Sequence, residues 1–274
     1  MTSINTNVGA MIALQNLNAI NAQLAISQNR ISTGLRVASA KDDGAAYAIA
    51  QSQRSTVSSL DAVKASLSRS SSVVDVALSA GESVSDLLSQ LKEKALEASD
   101  TSLDTTSRSA VQADFNSIRD QITKTLSNAS FNGINMLNGS RGSITALANA
   151  QGTNGMTVAA QNLSLGGSII TLAASASFST ATSASALLTT LDSSINNVSA
   201  ALARLGTSSK ALDRHATFIS KLQDSIEAGI GKLVDADMAK ESVRLQSLQI
   251  RQQLAVQSLS IANQSQSFVL SLFR

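Results

Sequence analysis

The sequence predicts a mainly α fold: a long antiparallel helical bundle or coiled coil with paired terminal helices and a small β-hairpin tip. Three observations carry this. None of the 274 residues is proline, where average usage of about 5% predicts roughly 14. Apolar residues recur in steps of three and four over most of the chain. Seven of the 14 glycines crowd between Gly133 and Gly167. Absence of proline permits long helices, because an interior proline removes one backbone hydrogen bond and collides with the preceding turn.

The first helical series runs through Leu14, Leu17, Ile20, Leu24, Ile31 and Leu35, with Asn and Gln rather than charges between them. From about 44 to 99 two seven-residue series interleave. One is Leu60, Leu67, Val74, Gly81, Leu88 and Ala95; the other is Val63, Ser70, Ala77, Val84, Leu91 and Ala98. Together they form the two-position seam of a coiled coil. Val111, Phe115, Ile118, Ile122 and Leu126 place a further helix at about 105–128. The longest seam alternates steps of three and four from Leu188 through Leu202, Leu212 and Ile219 to Leu233. Unbroken, residues 185–233 make a rod of about 75 Å at 1.5 Å per residue. The last helix, about 236–270, carries two apolar stripes: Leu254, Ile261 and Phe268 on one, Leu248, Ala255, Leu259 and Ala262 on the other. One stripe suffices for an intrachain partner, which leaves the second for something else.

The middle has a different period. Ile144–Leu147 and Met156–Val158 flank Gly152-Thr153-Asn154-Gly155 and read as a β-hairpin. Ile169–Leu172 reads as a further extended piece, and the Ser/Thr/Ala stretch 173–186 as a loop. The chain thus goes up through helices, turns over in a β-rich tip, and returns. The expected division is 1–43 plus 236–274 as a terminal coiled-coil domain, and 44–235 as a helical bundle with its tip at about 140–185.

Charge is distributed unevenly. The 21 basic and 19 acidic residues give a formal net charge of +2, too small to drive nucleic-acid binding. Residues 1–29, 142–191 and 252–273 contain no Asp, Glu, Lys or Arg. A soluble monomer spreads charge over its surface. Helix faces of Asn, Gln, Ser and Ala can instead be packed against protein without burying unpaired ions. Membrane-surface helices carry Lys and Arg on their polar face, and these do not. There is no basic, apolar N-terminal segment of the secretory kind and no 18-residue apolar run.

Site chemistry is sparse. With no cysteine and a single histidine, thiolate, disulfide and multi-histidine metal chemistry are excluded. Asp213 and His215 face about 200° apart on a helix, so no Ser/His/Asp triad forms, and His215 reads as a solvated helix-face residue. Lys41-Asp42-Asp43 follows Ser39 at a helix start, where carboxylates favour the helix dipole. No cofactor is expected. A self-assembling filament subunit fits these features; a secreted membrane-active translocator is the reading from another class, and an enzyme is disfavoured. The residues assigned to an assembly interface are Leu14, Leu17, Ile20, Leu24, Ile31, Leu254, Leu259, Ile261, Phe268, Leu272 and Phe273.

Specific motifs narrow this. Arg30-Ile31-Ser32-Thr33-Gly34-Leu35-Arg36, followed by Ser39-Ala40-Lys41-Asp42-Asp43-Gly44-Ala45, closely resembles the N-terminal signature of bacterial flagellins. Phe131-Asn132-Gly133 through Leu137-Asn138-Gly139 is similar to the family's turn. Asp235-Ala236-Asp237-Met238-Ala239, Ile261-Ala262-Asn263-Gln264 and the closing Val269-Leu270-Ser271-Leu272-Phe273-Arg274 resemble its C-terminal region. The resemblance implies a secreted, extracellular subunit of the flagellar filament used in swimming motility. It further implies export through the flagellar type III apparatus and paired termini that form an inner tube. Implied partners are itself or other flagellins, the export apparatus and its chaperone, and hook-associated and cap proteins, with no nucleic acid or membrane. A hook–filament junction protein of the same superfamily is the nearest alternative. The resemblance also implies O-glycosylation as a possible use of the exposed-tip residues Ser175, Ser177, Thr180, Thr182 and Ser183; the plainer reading is a flexible connector.

Overall fold

A computed structural model describes the backbone of residues 6–271 and the side chains of residues 6–264. Among the described residues the elements are α1 (Val8–Thr33), α2 (Gly44–Ala98), α3 (Thr105–Asn128), β1 (Ser130–Phe131), β2 (Ile134–Asn135), β3 (Ser143–Leu147), β4 (Gly155–Ala159), α4 (Ala181–Val234) and α5 (Met238–Ser271). The chain separates into two compact units. One holds the described residues up to Ser55 and those from Ser225 onward; the other is Thr56–Asp224. Both boundaries fall inside helices, α2 and α4.

In the Thr56–Asp224 unit, α2 and α4 run antiparallel. Lys92 Nζ meets Asp192 at 2.6 Å, the Ser209 hydroxyl donates to Asp75 at 3.3 Å, and Gln223 Nε2 donates to Asp61 at 2.8 Å. All twelve positions of the two interleaved α2 series are buried. Gly81 is the one that needs its residue type: a Cβ there would meet Leu202 Cδ2 at 2.5 Å. From α4, Leu191, Val198, Leu205, Leu212 and Ile219 complete the core, and α3 adds Val111, Phe115, Ile122 and Leu126. α3 starts at Asp104, whose carboxylate accepts from Ser107 N at 2.8 Å. Arg108 then ties the α2–α3 turn by donating to the carbonyls of Ala98, Asp100 and Leu103.

The hairpin forms where expected: β3 and β4 pair antiparallel with Ile144 opposite Val158 and Leu147 opposite Gly155. A second two-stranded ribbon, β1–β2, turns through Asn132 and Gly133, both at positive φ.

Three sequence expectations are corrected. Ile169–Leu172 is not a strand. Ile170 and Leu172 are fully buried, and the Thr171 amide donates to the Ser194 hydroxyl of α4, so the segment is an apolar plug held by a helix side chain. The stretch 173–186 is only partly a loop, because α4 begins at Ala181. The Thr180 hydroxyl accepts from Ser183 N at 3.2 Å, and the Ser183 hydroxyl accepts from Thr180 N at 3.1 Å, an N-terminal cap built from serine and threonine. His215, finally, is half-buried rather than solvated. Its Nε2 lies 2.8 Å from the Ala148 carbonyl beyond β3, and its ring tilts against Phe218. The residue braces the hairpin.

Candidate assembly interface

In the other unit α1 and α5 pair antiparallel along one face each. Asn7 Nδ2 donates to the Ala262 carbonyl at 2.9 Å, Gln252 Nε2 to Asn21 Oδ1 at 2.7 Å, and the Ser27 hydroxyl to Glu241 at 2.8 Å. Asn7 also caps α1 by accepting from Ala10 N.

Each helix turns one stripe inward. At about 100° per residue, Ala13, Leu17, Ile20, Leu24, Ser27 and Ile31 share one side of α1, and all are buried or half-buried. On α5 the inward residues are Glu241, Leu245, Leu248, Gln252, Ala255, Leu259 and Ala262. The opposite sides are also apolar. Val243, Ile250, Leu254 and Ile261 fall within about 40° of one another on the outer face of α5 and are 58–67% exposed. Val8, Met11 and Ile26 occupy the outer side of α1, with Ile12 and Leu14 on its two flanks, and all are likewise exposed. A helix apolar on all sides is one that becomes surrounded, and exposed apolar area of this extent marks an interaction surface.

The residues assigned to an interface from sequence therefore divide. Leu254 and Ile261 face outward and Leu14 lies exposed on the flank; Leu17, Ile20, Leu24, Ile31 and Leu259 serve the intrachain seam. Phe268, Leu272 and Phe273 lie outside the residues described at side-chain level. Sequence reading omitted Met11, Ile12, Ile26, Val243 and Ile250. The signal was available: Val243 and Ile250 precede Leu254 and Ile261 at the same spacing, but charged neighbours Arg244 and Arg251 obscured the stripe.

The signature loop positions these helices. Gly34 ends α1 in the left-handed conformation at φ 71°, its N–H bonding to the Arg30 carbonyl, a place where glycine pays no Cβ penalty. Leu35 then bridges to Asp235, and the Arg36 and Val37 amides both donate to the Val234 carbonyl. Lys41 is exposed. Asp42 accepts from the amides of Ala38 and Ser39 and from the Ser39 hydroxyl, and these bonds, foremost those from Ser39, hold its carboxyl below the usual carboxylate range. Asp43 accepts from the amides of Ala45 and Ala46 and so caps α2. The two acids close a turn and start a helix.

Of the proposed modification residues, Ser175, Ser177, Thr180 and Thr182 are exposed and Ser183 is half-buried in the α4 cap. No group of three or more potential metal ligands occurs among the described residues. No described helix is long and apolar enough to cross a membrane.

Long paired helices that leave apolar stripes exposed on their outer faces have the character of a polymer subunit, a chain whose surface is completed by other chains. Comparison with known proteins gives the family. Residues 4–142 match the bacterial flagellin N-terminal helical region, and residues 188–273 match the bacterial flagellin C-terminal helical region. The chain is 55% identical over 274 residues to flagellin FljM of Caulobacter vibrioides, covering 100% of this chain and 99% of the relative. It is 38% identical to a flagellin of Brucella melitensis, with 100% of both chains covered. A candidate flagellar hook-associated protein from Vibrio parahaemolyticus shares the fold at a TM-score of 0.58 and 16% identity, over 71% of this chain and 100% of that one. The chain belongs to the bacterial flagellin family. It is a structural subunit of the flagellar filament and not an enzyme, and neither the junction-protein nor the translocator reading is favoured.

Proposed function

We propose that this flagellin polymerises through the outer faces of α1 and α5. Residues 1–43 and 236–274 supply the densely packed interior of the filament, and residues 44–235 the helical bundle. The observation that carries this reading is the second apolar stripe of α5, Val243, Ile250, Leu254 and Ile261, which faces away from α1 and carries no charge. Burial of apolar area is the main favourable term in association, and an uncharged face lets it proceed without stripping ions of water.

We propose the finer setting as well, with family membership as its support. The subunit passes through the flagellar export apparatus with a chaperone, reaches the cell exterior, adds beneath cap proteins and joins hook-associated proteins at the base. It polymerises with itself or with other flagellins.

The test is seeded elongation of filament fragments by a chain carrying Leu254→Glu and Ile261→Glu. Two charges on the outer stripe leave the α1–α5 seam intact. Elongation is expected to fall by about a hundredfold or more, from several kcal/mol of uncompensated burial, with the circular dichroism of the soluble chain unchanged. Elongation at the parent rate would refute the assignment.

A further inference from the structure

We infer that Ser27, Arg30 and Glu241 form a polar clamp that fixes the register of α1 against α5, and so aligns the two outer stripes that meet neighbouring subunits. This is a positioning role in assembly, and it rests on the polymerisation reading above.

Most of the seam cannot choose a register. Ala10, Ala13, Leu17, Ile20 and Leu24 face Leu248, Ala255, Leu259 and Ala262, small and aliphatic residues at coiled-coil spacing. Sliding one helix by seven residues brings similar side chains back into contact, which is why coiled coils fix register with polar residues placed in the seam. Here that element is Glu241. It is only 7% exposed, it accepts from the Ser27 hydroxyl at 2.8 Å, and it lies 3.7 Å from Arg30 Nη1. Ser27 itself is 1% exposed. The Asn21–Gln252 bond and the Asn7–Ala262 bond obey the same register farther along, stepping down α1 as they step up α5.

A slip is therefore costly at this end of the seam, in addition to the Leu35–Asp235 bridge and the bonds to Val234 that it would break in the adjoining loop. Moving Glu241 seven residues toward the start of α1 sets it against Ile20 and Gln23, with no cation. Moving it seven residues the other way sets it beside Gly34 and Val37, past the end of α1 at Thr33. Either move leaves a carboxylate without its guanidinium and hydroxyl, and an unpaired buried charge is strongly disfavoured. In the clamped register Ile26 lies level with Val243, and Met11 and Ile12 lie level with Val256 and Ile261, so the register sets the axial alignment of the two outer stripes.

The chain has no cysteine, so introduced pairs report register without background. Asn21→Cys with Gln252→Cys detects the clamped register. Asn21→Cys with Leu245→Cys detects a slip of one heptad. Each is joined by a short bis-methanethiosulfonate reagent, which dithiothreitol reverses. In the otherwise unaltered soluble chain only the first pair is expected to cross-link. With Glu241→Leu added, the slipped pair should appear and seeded elongation fall by about tenfold or more. Glu241→Gln, which still accepts from Ser27, should keep the first pattern. The decisive arm is rescue: cross-linking Asn21→Cys/Gln252→Cys in the Glu241→Leu chain should restore elongation, and reduction should abolish it. The clamp is overturned if Glu241→Leu leaves both cross-link pattern and elongation unchanged, or if locking the register does not restore growth. Failure of the unsubstituted chain to elongate would instead count against the polymerisation reading, while the cross-link pattern still decides the clamp.

Discussion

Asp42, Asp43, Asp104 and Asp237 act at the scale of single residues by collecting backbone amides. Asp104 is the clearest: it begins α3 by accepting from Ser107 N, and that bond, with the adjacent Arg108, holds its carboxyl below the ordinary carboxylate range. Asp100 is held low in the same turn by its bonds to Ser102. Because the folded-state value is depressed, the stabilisation is present above the unfolded value and is lost as pH falls through the folded one. Asp104→Ala is therefore expected to lower the urea midpoint at neutral pH, with the difference from the parent shrinking in acid. Asp104→Asn, which keeps an acceptor at the cap, should retain more of the midpoint and show less pH dependence. Paired urea titrations from neutral pH to below the carboxylate range check both. Of these, Asp42 and Asp43 were legible in the sequence as acids at a helix start. Their partners were not, since a carboxylate's reach back to Ala38 and Ser39 depends on how the turn closes.

Among the elements, the helices needed only period and the absence of proline. The approach to α4 needed more. Its Ser/Thr/Ala composition reads as a flexible connector, yet Phe178 is buried and meets Phe115 edge to face at 5.2 Å, and Arg119 donates to the Ala176 carbonyl at 2.7 Å. One aromatic side chain and one carbonyl moor a segment whose remaining residues are small. Phe178→Ala should cost about 3–5 kcal/mol, the usual range for deleting a buried phenyl ring. It should also open residues 173–180 to limited proteolysis relative to the parent. A lowered urea midpoint with no new cleavage would mean the mooring lies elsewhere. The plug at Ile170 and Leu172 illustrates the same limit. Four β-compatible residues form a strand only if an edge is available to pair with, and here a helix side chain, Ser194, offers the hydrogen bond instead.

At the scale of the whole molecule the chain separates into two compact units. The Thr56–Asp224 unit holds most of the large buried side chains, including Leu60, Leu67, Leu88, Leu91, Phe115 and Phe178. Deleting residues 1–30 or 250–274 is therefore expected to leave a soluble, cooperatively folding protein that no longer extends filament seeds. Negative-stain microscopy after seeding, beside a thermal melt of the same sample, reads both halves of that expectation. Filaments of normal length from either deletion would show that assembly does not need the α1–α5 pair.

What the sequence determined by itself was helix identity, the α2 and α4 seams, the hairpin and the uncharged terminal stretches. Each of these is set by residue spacing or composition over short distances. Tertiary structure alone decided which apolar stripe of each terminal helix faces inward. Leu254 and Leu259 look alike in sequence, but a helix with apolar residues on every side has no preferred face until its partner is in place. Here the partner's polar groups make the choice: Glu241 can be buried only where Ser27 and Arg30 meet it. That contact joins residues more than 200 positions apart, and it leaves Val243, Ile250, Leu254 and Ile261 on the outside.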